Sequence, residues 1–378
     1  MGFAKSFYFF YYAAGASFFP FLALYYRDLG LVGREIGLLT AIPPLTALFS
    51  ASLWGGLADA TQKHRQLLML ALAGVIVFAL TMSTITTFYG LVPTVIAFAF
   101  FASPIIPLVD NSVLDQLGDR CSQYGRIRLW GALGWGIAAL IIGQVIECLG
   151  LLWSFYGYVL LILGCLVVVF KLPIAHASIN SAFRQGLKQL LGDRQWRLFL
   201  GTLFIAGMGL STAHSYLFLY MKDIGATKSL MGLALTVATV SELVIFFYAG
   251  RLLDRWGTRN VLIASLVAHV VRLLAYSQVR NPHIVLIVQL LHGPTFSLIW
   301  TSGVSYANRM APTGMGATAQ GLLSAVYFGM GAAGGGLIGG FLYEHIGPFW
   351  MYFCAGIWVF IGLLIFGFFD RNPKPIRQ

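Results

Sequence analysis

The chain has 378 residues, of which 58% are hydrophobic and only 10% charged, and its mean hydropathy is +0.81. A soluble domain carries roughly 25% charged residues, so this chain lacks the polar surface to cover a water-facing shell. Its net charge of +11 is carried by basic residues placed singly or in small groups between apolar runs, without the basic stripe and interleaved aromatics of a nucleic-acid partner.

Apolar runs near twenty residues long recur from end to end, the length that crosses a ~30 Å hydrocarbon core. They predict twelve transmembrane helices, over 6–26, 36–58, 66–87, 90–117, 127–147, 150–171, 197–220, 229–251, 260–279, 283–308, 316–343 and 348–369. Helices satisfy their own backbone groups in lipid, and no strand-like alternation points to a barrel. Only Lys5 precedes the first run, which is long enough to stay as a span instead of being cleaved. Cys121, Cys148, Cys165 and Cys354 form neither a CxxC pair nor a zinc spacing, and read as small apolar residues.

Connections between the spans are short except one, from Lys171 to Arg197, which is polar and carries Arg184, Lys188 and Arg194. It divides the chain into an N-terminal six-helix bundle (1–172), a central loop (173–195) and a C-terminal six-helix bundle with a short tail (196–378). With the N-terminus placed in the cytoplasm, the cytoplasmic segments hold 18 of the 24 basic residues and the outer loops five. That asymmetry puts both termini and the central loop on the cytoplasmic side of an inner membrane. The chain also repeats at an offset of 195 residues: Leu24-Tyr-Tyr-Arg-Asp-Leu-Gly30 returns as Leu219-Tyr-Met-Lys-Asp-Ile-Gly225, and Gly37, Gly55 and Asp59 return as Gly232, Gly250 and Asp254. A register that holds through loop, helix and loop needs more than shared hydrophobicity.

Ionisable residues inside apolar runs are the functional signal. A charge at the centre of a membrane helix costs ~2.5–3.5 kcal/mol on insertion scales, so each needs a partner or a water-filled cavity. Asp110, His214, Glu242, His269, Arg272 and His292 are such residues. Arg272 shares a helix face with His269 and Tyr276, and His292 with Gln289 and Phe296. Glu242, Arg272 and His292 fall on three successive predicted helices of the second half. Asp110 and Arg128 read either as substrate groups or as an interhelical ion pair, and Trp135 either as a stacking platform or as an interfacial anchor. Gly331-Ala-Ala-Gly-Gly-Gly-Leu-Ile-Gly-Gly340 lacks the Lys-Ser/Thr of a phosphate loop and reads as close helix packing.

Gly55-Gly-Leu-Ala-Asp-Ala-Thr-Gln-Lys-His-Arg65, with its copy Gly250-Arg-Leu-Leu-Asp-Arg-Trp-Gly-Thr-Arg259, resembles the signature of the major facilitator superfamily. Ser103-Pro-Ile-Ile-Pro-Leu-Val-Asp110, Tyr124-Gly-Arg-Ile-Arg-Leu-Trp-Gly131, Ser241-Glu-Leu-Val-Ile-Phe-Phe247 and Gln289-Leu-Leu-His-Gly-Pro-Thr-Phe296 resemble its 3-phenylpropionate transporter branch, which is related to the lactose permease group of proton symporters. The resemblance spans essentially the whole chain. It implies an all-α fold of two parallel six-helix repeats with the substrate at the midplane between them. It also implies a conformational gate at Gly55, Asp59, Arg65, Gly250, Asp254 and Arg255. Position by position, it makes Asp110, Arg128 and Trp135 the sugar-binding carboxylate, arginine and stacking tryptophan of the first half. Glu242, Arg272 and His292 become the substrate-contacting glutamate, the arginine and the histidine of the second, and Glu242, Asp110 and His292 are expected to carry the proton. Two departures matter: the permease's proton-carrying glutamate is Thr295 here, and its lysine is Gln289.

The expectation is a secondary transporter, not an enzyme, that works as a monomer with protons as coupling ion and no other cofactor. It would import a sugar, a glycoside or an aromatic carboxylate such as 3-phenylpropionate. A nucleoside symporter and a drug/proton antiporter are the rivals within transport, and a non-transporting solute sensor is the rival outside it.

Overall fold

The computed structural model describes residues 2–117, 124–171, 192–311 and 315–369. Most of the predicted central loop and both chain ends lie outside the described residues. Among the described residues there are helices and no strand. The first group is α1 (Gly2–Asp28), α2 (Gly33–Thr61), α3 (His64–Thr84), α4 (Phe88–Ala102), α5 (Ile105–Leu117), α6 (Tyr124–Leu149) and α7 (Trp153–Lys171). The second is α8 (Arg194–Asp223), α9 (Lys228–Trp256), α10 (Thr258–Gln278), α11 (Ile284–Gln289), α12 (His292–Met310) and α13 (Gly316–Ser324). A π-helical stretch, Ala325–Gly331, then leads into α14 (Ala332–Phe369).

Among the described residues, eleven helical runs are long and apolar enough to cross a membrane. The last of them, Thr318–Phe368, covers 51 residues and is bent at Gly347, whose φ of 77° and ψ of 171° leave the helical region. Only glycine adopts that backbone without strain, and Pro348 then opens the next helix, where its missing N–H costs nothing. Counting each side of this bend as a span gives the twelve predicted crossings. Phe49, Leu160, Phe247 and Phe368 project outward, left largely exposed by the protein itself. Facing lipid tails, which are as apolar as leucine, such side chains are at home.

The chain forms two compact units: Met1–Ile179 with Ala226–Thr236, and Asn180–Gly225 with Val237–Gln378. In the first, α1 packs on α6 and α7 around Phe7, Phe18, Phe155 and Tyr158. Backbones approach so closely that a Cβ on Gly134 would lie 2.2 Å from the Phe9 carbonyl oxygen. The Glu147 carboxylate accepts the Lys228 backbone N–H and so caps the start of α9. In the second unit, α8 packs on α14 and the π-helical stretch. Gly335, from the glycine run, lies against α8 where a Cβ would meet the Met208 carbonyl oxygen at 2.3 Å. That run is packing.

Two predicted spans differ from the structure. The runs 90–117 and 283–308 are each broken, between α4 and α5 and between α11 and α12. Pro104 and Pro294 are the cause, because proline has no N–H to give the carbonyl four residues earlier. Asp110 follows the first break, and His292 sits at the second.

Candidate functional site

Each unit carries one polar cluster. In the first, α1 supplies Tyr8 and Tyr12, α5 supplies Asp110, and α6 supplies Tyr124 and Arg128. Tyr8 OH donates to Asp110 Oδ1 at 2.5 Å. Arg128 Nη1 lies 3.3 Å from Asp110 Oδ2 and donates to Tyr124 OH at 2.9 Å. Its Nη2 donates to Tyr12 OH at 2.9 Å. The predicted Asp110–Arg128 pair is therefore present, with the arginine side chain 45% exposed and the aspartate 20%. Trp135 stands two turns beyond Arg128 on the same face of α6, packed so that a Cβ on Gly15 would meet its Cζ3 at 3.1 Å.

The second cluster is built by α8 to α12 around Arg272, which is 1% exposed. The guanidinium donates to Gln289 Oε1 at 2.9 Å, Thr295 Oγ1 at 3.1 Å and Tyr276 OH at 3.3 and 3.4 Å. It also lies 2.9 Å from His292 Nδ1. An arginine only donates, so Nδ1 must be the acceptor and the imidazole carries its hydrogen on Nε2. That nitrogen is 3.7 Å from Glu242 Oε2. His292 thus stands between a buried cation and a carboxylate, neutral, with its tautomer set by the arginine. Gln289 and Thr295, the two departures from the lactose permease pattern, are both acceptors for Arg272.

His214 brings its ring centroid within 5.2 Å of that of His292, and Phe296 stacks on the other side at 5.6 Å. His269 shares the Arg272 face but neither of its ring nitrogens has a hydrogen-bond partner. Tyr8 and Tyr12 do not stand out in the sequence, and Tyr124 enters it only as part of a motif. The available signal was the i, i+4 spacing of Tyr8 and Tyr12, and of Tyr124 and Arg128, on single helix faces. Ser241 was quoted only as part of a motif; it bonds to the α11–α12 break.

The two copies of the glycine-rich signature sit at equivalent places. Gly55 and Asp59 occupy the last turns of α2, which ends at left-handed Gln62 with Arg65 just beyond in α3. Gly250, Asp254 and Arg255 occupy the last turns of α9, ahead of left-handed Gly257. Asp254 and Arg255 are exposed. Among the described residues no three His, Cys, Asp or Glu side chains group as a metal site.

Comparison with known proteins agrees with this architecture. The MFS_1 like family model matches residues 3–354. The maltose permease of Geobacillus stearothermophilus is 30% identical over 95% of this chain and 93% of the permease. The "Probable 3-phenylpropionic acid transporter" of Escherichia coli is 26% identical over 91% of this chain and 92% of that protein. The crystal structure of the nucleoside transporter NupG superposes with a TM-score of 0.85 at 17% identity, covering 97% of this chain and 98% of that one, which establishes the shared fold. The chain belongs to the MFS_1 like family, and it is a multi-pass major facilitator transporter of small solutes.

Proposed function

We propose that the protein imports a sugar or glycoside with protons by alternating access, from an inner membrane in which both termini face the cytoplasm. The observation that carries the coupling is the position of His292, 2.9 Å from Arg272 and 3.7 Å from a Glu242 carboxylate oxygen. With Glu242 ionised, the Nε2–H of His292 lies beside the carboxylate and its Nδ1 accepts from Arg272. A proton taken up by Glu242 turns the carboxylate into a donor. Where that O–H pairs with Nε2, in place of the carbonyl oxygen that could still accept from Nε2–H, the imidazole takes the other tautomer, with hydrogen on Nδ1, and that sets a donor against a guanidinium that also only donates. Arg272 is expelled from His292, and a proton has been converted into a rearrangement. One charge moved through 100 mV supplies ~2.3 kcal/mol for this.

The hydroxyl-rich first cluster supports a polyhydroxy solute. Arg128 and Asp110 balance each other, so the cluster offers donors and acceptors without a spare charge, and Trp135 supplies a plane two turns away on the same face. The maltose permease relationship points the same way. An aromatic carboxylate is the second reading, favoured by the 3-phenylpropionic acid relative. Gating by the Gly55-to-Arg65 and Gly250-to-Arg255 segments completes the proposal.

The test is uptake of maltose, uridine and 3-phenylpropionate by proteoliposomes under an imposed pH gradient. Glu242→Gln should abolish accumulation and leave exchange of the same solute running, because the amide cannot cycle a proton. Accumulation at wild-type rates in that variant would move the proton site elsewhere, with Asp110 next in line.

A further inference from the structure

The break between α11 and α12 leaves a specific gap. Pro294 has no N–H, so the carbonyl of Leu290, its α-helical acceptor, gets no bond from its own helix. Ser241 of α9 fills the gap from outside. Its Oγ donates to Leu290 O at 2.5 Å and accepts the Gly293 N–H at 3.1 Å. One hydroxyl therefore splices both sides of the break. The approach is so close that a Cβ on Gly293 would lie 2.3 Å from the Ser241 carbonyl oxygen. A second tie runs from Ser297 Oγ to Glu242 O at 3.2 Å.

The same defect occurs in the first unit, where Pro104 deprives Phe100 O of its donor. There Trp54 Nε1 and Ser103 Oγ donate to it, and neither residue neighbours an ionisable group in sequence. Ser241 differs in its position. It immediately precedes Glu242, and the break it splices begins α12 at His292. The two partners of the proton relay are thus tied to each other through main chain and one hydroxyl.

We propose that Ser241 is a positioning residue of the coupling site: its hydroxyl fixes the α11–α12 break so that His292 meets Arg272 and Glu242 at once. This rests on the coupling reading above. Removing the hydroxyl leaves Leu290 C=O and Gly293 N–H without their partner. The first turn of α12 then re-forms differently, and the imidazole no longer spans the two charges.

The experiment compares Ser241→Ala, Ser241→Thr and Ser241→Val with Glu242→Gln in the full chain. Hydrogen–deuterium exchange is followed over 288–296, and accumulation and exchange transport of maltose, uridine and 3-phenylpropionate are measured in parallel. Ser241→Ala should speed amide exchange in this segment by about tenfold, the equivalent of the net worth of one hydrogen bond. It should cut accumulation by about as much while leaving exchange transport near wild type. Threonine should restore both properties, and valine, equal in shape but without the hydroxyl, neither. Unchanged amide exchange in Ser241→Ala, or rescue by valine as complete as by threonine, overturns the proposal. Accumulation kept in Ser241→Ala but lost in Glu242→Gln overturns the positioning role alone. Accumulation kept in Glu242→Gln sinks the coupling reading, and the positioning role with it.

Discussion

Arg128 and Arg272 each anchor the polar cluster of one unit, and they are held in opposite ways. Arg128 is half exposed and contacts a carboxylate directly, with two tyrosine hydroxyls completing its shell. Arg272 is buried, and its hydrogen bonds run to uncharged groups on Gln289, Thr295, Tyr276 and His292. The difference is one of exchangeability. A guanidinium that the protein leaves half exposed can trade a protein partner for a solute hydroxyl at little cost. A buried one cannot let go without losing compensation for several kcal/mol of desolvation, so it moves only when something else changes. The first cluster is suited to binding and the second to switching.

The sharpest way to break this comparison is to remove each cation. Arg272→Ala should cost about 3–5 kcal/mol of stability, because it leaves His292, Gln289 and Thr295, all buried, without the cation they accept from. Arg128→Ala should cost about 1 kcal/mol or less, as expected for an exposed pair. Thermal unfolding of the two purified variants in one detergent measures both. Equal destabilisation would erase the distinction between a binding and a switching arginine.

Much of this arrangement was legible before the structure. Spans, the 195-residue repeat and the membrane-embedded charges follow from hydropathy and from the cost of a charge in lipid, and these placed Asp110, Glu242, Arg272 and His292. What could not be read was which neutral groups meet them. Gln289 and Thr295 are departures from the permease pattern, and in three dimensions they are acceptors that make a buried arginine tolerable. Tyr8 and Tyr12 were hidden in an aromatic run, where apolar and hydrogen-bonding tyrosines look alike. The broken helices were hidden too. A proline within an apolar run marks a missing donor, but only the fold shows that Ser241 or Trp54 supplies the replacement.

Asp110→Asn probes the first cluster with an effect of intermediate size. If the solute is a sugar, the substitution forfeits charge-assisted bonds worth roughly 1.5–3 kcal/mol, a loss of roughly 10- to 150-fold in affinity for maltose. If the solute is a carboxylate, the same change removes a repelling charge and releases Arg128, and affinity for 3-phenylpropionate rises. The sign of the change in calorimetric titrations separates the two. No change with either solute would reduce the Asp110–Arg128 pair to a structural link between α5 and α6.

The smallest expected effect belongs to Trp135, and it tests whether the first cluster has a floor. Trp135 packs where Gly15 gives α1 room: an added methyl there would stand 3.1 Å from the indole edge. The ring is thereby held in place two turns from Arg128 on the same helix face. Trp135→Phe keeps an aromatic plane but shortens it, and losing part of a stacking contact worth ~0.5–1.5 kcal/mol should weaken maltose binding by roughly two- to tenfold. Gly15→Ala displaces the indole without removing it, and should weaken binding through position alone. If Trp135 serves only to pack α6 on α1, both variants will lower the unfolding temperature while maltose affinity stays at the wild-type value. That outcome would leave Arg128, Asp110 and the tyrosines to bind the solute by hydrogen bonds without a stacking surface.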